Sequence, residues 1–133
     1  MTAGVYVGLT APALDGYLGI LAGRAPLTAV VTTGQITLRP LDGPAEELFV
    51  SRGFLQVHDR TVTILAEECK PIGQLDAERA WDLLQQAYKL PRETSEQIVY
   101  RDEMIHAERI RFRLAQKGRK GAMNMEQALR RGL

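Results

Sequence analysis

The side chains of this 133-residue chain best suited to act as bases, nucleophiles or metal ligands are two histidines, His58 and His106, and one cysteine, Cys69. A catalytic pair needs its members adjacent, with a nucleophile in reach. His58 falls in a predicted hairpin turn and His106 in mid-helix, so both read as surface or interface residues. A lone cysteine forms no intrachain disulfide, and no Cys/His set has zinc-ligand spacing. Nothing specific activates Cys69, which is expected to pack at the junction of the two halves of the chain rather than react. No glycine-rich loop with Walker spacing is present to cradle phosphates. Paired acids and bases or a metal cluster, the usual marks of catalysis, are not visible.

Charge is the more informative chemistry. From His106 to Leu133 there are eight basic residues (Arg109, Arg111, Arg113, Lys117, Arg119, Lys120, Arg130 and Arg131) against two acidic ones, a net of +6. Residues 1–105 hold nine basic and fourteen acidic residues, a net of −5, so the overall +1 hides a segregation. A basic tail on an acidic body suits docking on an acidic surface. A solvated helix end gives the same pattern. So does a nucleic-acid module, although only Phe112 is there to stack on a base. Spacing alone leaves the three open.

These residues are carried by two kinds of structure. A composition 45% hydrophobic and 25% charged is that of a folded globular chain. No apolar run approaches the roughly 20 residues that span a bilayer, and the first residues lack the pattern of a secretory signal. With one cysteine the chain fits a reducing cytoplasm, and any membrane role is expected to come through a partner. Residues 5–9, 17–21, 35–39, 47–51, 54–58 and 61–66 read as short strands, with Pro12 and Asp15-Gly16 separating the first two. Ile36 and Leu38 share one face of their strand, as do Val62, Ile64 and Ala66. Gly53 marks a bend or bulge. Short strands at this spacing predict an antiparallel sandwich or barrel.

After Gly73 the period changes from two to 3.6. Ala80, Leu83, Leu84, Ala87 and Tyr88 form one apolar stripe, Asp76 is a fitting N-cap, and Leu90-Pro91 stops the helix. Trp81 beside the stripe is expected to pack in the core. Thr94 with Gln97 makes a capping box for a second helix. That helix is expected to end near Lys117, interrupted by Gly118 and Gly121, with a short amphipathic segment over 123–129. Ile98, Ile105 and Phe112 form one stripe on it, and Val99, Ala107, Ile110 and Leu114 another. Two stripes imply burial on two sides or two alternative dockings.

Three stretches carry a family resemblance. GYLGILAGRAPL at 16–27 resembles the G-x-L-G-I-L-P-G-H-A-P-L signature of the ATP synthase epsilon subunit. FVSRGFLQV at 49–57 resembles its F-V-S-G-G-F-L-E-V strand pair, with VTILA at 62–66 as the following strand. LDAERA at 75–80 resembles the segment that opens its first C-terminal helix. The three occur in the right order and at the right separations.

The resemblance implies an all-β plus α architecture: an N-terminal antiparallel β-sandwich over 1–72 that binds the rotor, then a C-terminal α-helical hairpin with a basic tail over 73–133. It implies a non-catalytic central-stalk subunit at the cytoplasmic face of the plasma membrane, peripheral and without membrane insertion. The expected partners are the gamma subunit, the c-ring and the catalytic beta subunits, with no nucleic acid, and proton transport is the coupled process. The hairpin either lies beside the sandwich or extends along gamma and blocks ATP hydrolysis. Tyr17 and Arg24, where the family often has Glu and His, are expected to contact the c-ring. Gly16, Gly19 and Gly23 set turn geometry there, which also fits the ring's loops. Arg109, Arg113, Lys117, Arg119 and Lys120 are expected to meet the catalytic head.

In some members the segment matching Asp76 and Arg79 helps bind a regulatory ATP. The structural alternative is an N-cap and a first-turn ion pair. Lys70 and Gln86 replace a carboxylate and a second arginine of the ATP-binding members, which argues against a cofactor. The family has a strand and turn before residues 5–9, so the sandwich is expected to lack its first strand and to show an open edge that a partner strand or a dimer would use. A free-standing nucleotide-sensing module is the alternative function.

Overall fold

The computed structural model describes residues 6–21, 26–59 and 61–130, with side chains described as far as residue 119. The chain divides into two compact units, Met1–Pro71 and Ile72–Leu133.

The first unit holds eight strands: β1 Tyr6–Ala13, β2 Gly16–Leu21, β3 Leu27–Val31, β4 Gly34–Pro40, β5 Glu46–Val50, β6 Gly53–His58, β7 Thr61–Ala66 and β8 Cys69–Pro71. All pairings are antiparallel, in the order β7-β6-β3-β1-β4-β5-β8, with β2 added on β1. Period-two alternation decides what is inside. Ile36 and Leu38 of β4 are buried, as are Leu55 and Val57 of β6, while Phe54, Gln56 and His58 between them point outward. Leu9, Ala11, Ile20, Val31, Leu48 and Val50 close the same core from the other strands. Each large aliphatic side chain buried this way contributes about 1.5–3 kcal/mol. The expected sandwich is present.

Two strands escaped the sequence reading. β3 lacks a clean polar–apolar alternation, and β8 is only three residues long. Pro12, expected to separate strands, lies inside β1 opposite Tyr17. Its ring has no N–H to give, but its carbonyl accepts the Thr32 N–H at 3.0 Å. Gly34 leaves room for that ring: a Cβ there would come within 2.9 Å of the Pro12 Cγ. β1 is paired on both sides, by β2 and by β4, with β3 joining at Ala13. Among the described residues β2, β7 and β8 each have one partner strand. Gly16 and Gly43 turn the chain with φ of 116° and 101°, which glycine alone adopts without strain.

The second unit begins with a one-turn 3-10 helix, Ile72–Gln74, followed by α1 Ala77–Tyr88 and α2 Ser95–Arg130. Asp76 caps α1, its Oδ1 accepting the Arg79 N–H at 3.1 Å. Thr94 and Gln97 form the reciprocal capping box, with Thr94 Oγ1 accepting from the Gln97 N–H at 3.1 Å and Gln97 Oε1 accepting from the Thr94 N–H at 3.1 Å. The hairpin closes on Leu84, Ala87 and Ile105, flanked by Leu90 and Met104.

The expected end of the second helix near Lys117 is corrected. α2 runs without interruption through Gly118, Gly121 and the 123–129 segment. Gly118 is present because of a close approach: an added Cβ would lie 2.6 Å from the carbonyl oxygen of Ile72. Of the two stripes, Ile98 and Val99 at the start are exposed, while Ile105, Ile110 and Leu114 further along are buried. Trp81 is half exposed and leans on Phe112 of α2, ring centroids 5.3 Å apart and planes at 48°, so its expected core position is only partly realised.

Candidate functional site

Two regions carry the side chains singled out above: the tip of the β1–β2 hairpin and the exposed face of α2. At the hairpin tip Tyr17 is 67% exposed beside Leu14, 72% exposed, so an aromatic ring and an aliphatic side chain stand out from the sheet next to the Leu14–Asp15 turn. Arg24 and Gly23 lie outside the described residues.

On α2, Arg109, Arg113 and Lys117 recur every four residues and are all exposed, which sets three cations along one side of the helix. Arg119, two residues after Lys117 and so on another side of the helix, is also exposed. Lys120 lies in α2, but its side chain is outside the described ones. A row of fixed positive charge with this pitch attracts an acidic surface and adds little to the stability of the helix.

The helix-opening pair is separated in role. Asp76 is engaged as the N-cap, and Arg79, whose backbone N–H makes that cap bond, is exposed on the first turn. Lys70 pairs with Glu68 at 2.9 Å. Beside this helix start, Ala77, Glu78, Trp81, Asp82, Phe112, Gln116 and Arg119 line an open cleft of about 590 Å³ between α1 and α2. Asp76 and Arg79 are not part of its lining.

The remaining candidates are dispersed. His58 is exposed beside its neighbour Asp59, with Nε2 3.3 Å from Oδ2, and His106 is exposed on α2. Cys69 sits in β8 opposite Val50 and is exposed as a residue, which corrects its expected packed position. Partial burial nevertheless pushes its thiol above the ordinary value. No group of three or more His, Cys, Asp or Glu residues that could hold a metal occurs among the described residues, and none of the described helices is long and apolar enough to cross a membrane.

Sequence reasoning missed two interacting residues within α2 and one between the helices. Glu108, 4% exposed, is buried and accepts from Arg111 Nε at 3.2 Å. Its i, i+3 spacing to Arg111 was the available signal. Arg101 reaches back to α1, and no local pattern announces a bond over thirteen residues.

The chain is thus a strand sandwich followed by a capped helical hairpin, with cations on one helix face. Residues 4–72 match the family described as ATP synthase, Delta/Epsilon chain, beta-sandwich domain. The chain is 36% identical over 114 residues to the ATP synthase epsilon chain of Dichelobacter nodosus, covering 86% of this chain and 79% of that one. It is 35% identical over 102 residues to the ATP synthase epsilon chain of Rhodopirellula baltica, covering 77% and 79%. The fold matches a chain in the central stalk and c-ring structure of the Tetrahymena thermophila mitochondrial ATP synthase, with a TM-score of 0.68, 15% identity, and coverage of 84% and 83%. It also matches a chain in the Euglena gracilis mitochondrial assembly of OSCP, F1 and c-ring, with a TM-score of 0.60, 20% identity, and coverage of 89% and 70%. The chain belongs to the ATP synthase epsilon chain family. Nothing in these comparisons supports a dimer.

Proposed function

We propose that this chain is a central-stalk subunit of a rotary, proton-translocating ATP synthase, joining gamma to the c-ring and restraining ATP hydrolysis through its helices, with no catalysis of its own. The observation that carries this reading is the match of sandwich and hairpin together to epsilon chains over 86% of the sequence. In this reading the sandwich, 1–72, holds the rotor and the hairpin, 73–133, is the regulatory part. Tyr17 and Arg24 face the c-ring, and Arg109, Arg113, Lys117, Arg119 and Lys120 face acidic loops of the catalytic beta subunits. The subunit works at the cytoplasmic face of the membrane, held there by its partners. Regulatory ATP is not required: Asp76 already serves as an N-cap, and Lys70 stands in place of a carboxylate.

The test is ATP hydrolysis by the assembled complex, with the full chain and with a chain ending at Leu90. Faster hydrolysis after truncation supports the restraint, and an unchanged rate removes it and leaves coupling alone.

A further inference from the structure

Inside a helix, glycine weakens the helical equilibrium roughly fourfold to fivefold relative to alanine. Gly118 bears that cost in the interior of the 36-residue α2. Its neighbours give the reason. A Cβ at position 118 would lie 2.6 Å from the Ile72 carbonyl oxygen, 2.8 Å from the Ile72 carbonyl carbon and 3.0 Å from the Gly73 nitrogen. All three are backbone atoms, so no flexible side-chain tip can move aside. The same Ile72 carbonyl accepts the Leu75 N–H at 3.2 Å, which fixes it within the 3-10 turn. Gly73, one residue along, is the contrast, because a Cβ there meets nothing within 4 Å.

The two ends of the hairpin are held differently. At the linker end the chain itself joins α1 to α2, and Arg101 adds a bond to the Tyr88 carbonyl at 3.3 Å. At the far end no covalent link ties α2 to the start of α1. There the contact of α2 with the Ile72–Gln74 turn and the tilted Trp81–Phe112 pair hold the helices together.

We propose that Gly118 is the latch of the helical hairpin. Its missing side chain lets α2 rest on the backbone of the Ile72–Gln74 turn, and this seat decides whether the distal half of α2 stays folded against α1 or swings free. Packed interfaces of this kind switch between discrete arrangements rather than deform gradually. A side chain at position 118 lifts α2 off the turn and favours the open hairpin. The consequence for hydrolysis rests on the restraint proposed above; the latch does not.

Backbone hydrogen exchange on the full chain tests this by comparing wild type, Gly118→Ala and Gly73→Ala. In Gly118→Ala the Leu75 amide and the first-turn amides of α1 are expected to exchange at least about tenfold faster, with β3 and β6 amides unchanged. Gly73→Ala is expected to match wild type. Helix propensity acts in the opposite direction and would slow exchange by roughly fourfold to fivefold. Unchanged or slower exchange in Gly118→Ala overturns the latch, as does an equal effect of Gly73→Ala. Loss of protection spreading into β3 and β6 also overturns it, because the seat would then support the whole fold and not the release of one helix. Exchange is read on the isolated chain and hydrolysis on the assembled complex, so a failed latch and a failed restraint give different results.

Discussion

Arg101 of α2 donates through Nη2 to the carbonyl of Tyr88, the last residue of α1, at 3.3 Å, and its guanidinium carbon stands 5.9 Å from the centre of the Tyr88 ring. One side chain thus places positive charge at the negative end of α1 and against an aromatic face. Its Nε is buried without a hydrogen-bond partner among the described residues, so the arrangement also costs desolvation.

Arg101→Met is expected to lower stability by about 1.5–3 kcal/mol, the range for hydrogen bonds to charged groups. Arg101→Lys should recover only part of this, because an ammonium lacks the planar fork. Urea unfolding followed by far-UV circular dichroism measures both; equal stability of Arg101→Met and wild type would show the contact to be idle.

The buried Glu108 carboxylate is paired with Arg111, with side chains 6% and 18% exposed. Arg111→Met removes a charged hydrogen-bond partner of this carboxylate and is expected to cost about 1.5–3 kcal/mol. Combining it with Glu108→Gln should recover much of that loss. If the double variant is no more stable than Arg111→Met in the same unfolding experiment, the pairing does not govern this part of α2.

Gly53 begins β6, and a side chain there would collide with the Leu65 carbonyl of β7. Gly53→Ala is therefore expected to separate these strands and lower the melting temperature. Leu55→Ala, two residues on, empties a fully buried site and should cost about 2–5 kcal/mol. A melting temperature unchanged in Gly53→Ala would mean that β7 can shift at no cost.

These elements also show what was legible in the amino-acid sequence. Alternation marked β4 and β7, and the capping residues Asp76, Thr94 and Gln97 marked the helix starts, because both signals are local. What failed was non-local. Pro12 is tolerated in β1 because Gly34 and Thr32 accommodate it, and Gly118 continues α2 because Ile72 lies against it. The basic row of α2 could be seen in advance. The bond from Arg101 to Tyr88 could not, since nothing in either residue's neighbourhood specifies it.

The Cys69 thiol is held above its ordinary value chiefly by burial. At a given pH the native chain then has less thiolate than the unfolded chain. Folding favours the neutral thiol, so this contribution is complete below the unfolded pKa and is lost as pH rises through the folded one. The pH–rate profile of iodoacetamide alkylation should lie to the alkaline side of that of the urea-unfolded chain. A coincident profile would show the thiol to be fully solvated.

The role as an epsilon-type stalk subunit is tested most directly by co-expressing the full chain with the gamma subunit of the same source and capturing one through a tag on the other. A stoichiometric complex that survives gel filtration is the expected result. Gamma eluting alone, while this chain remains folded by circular dichroism, would contradict it.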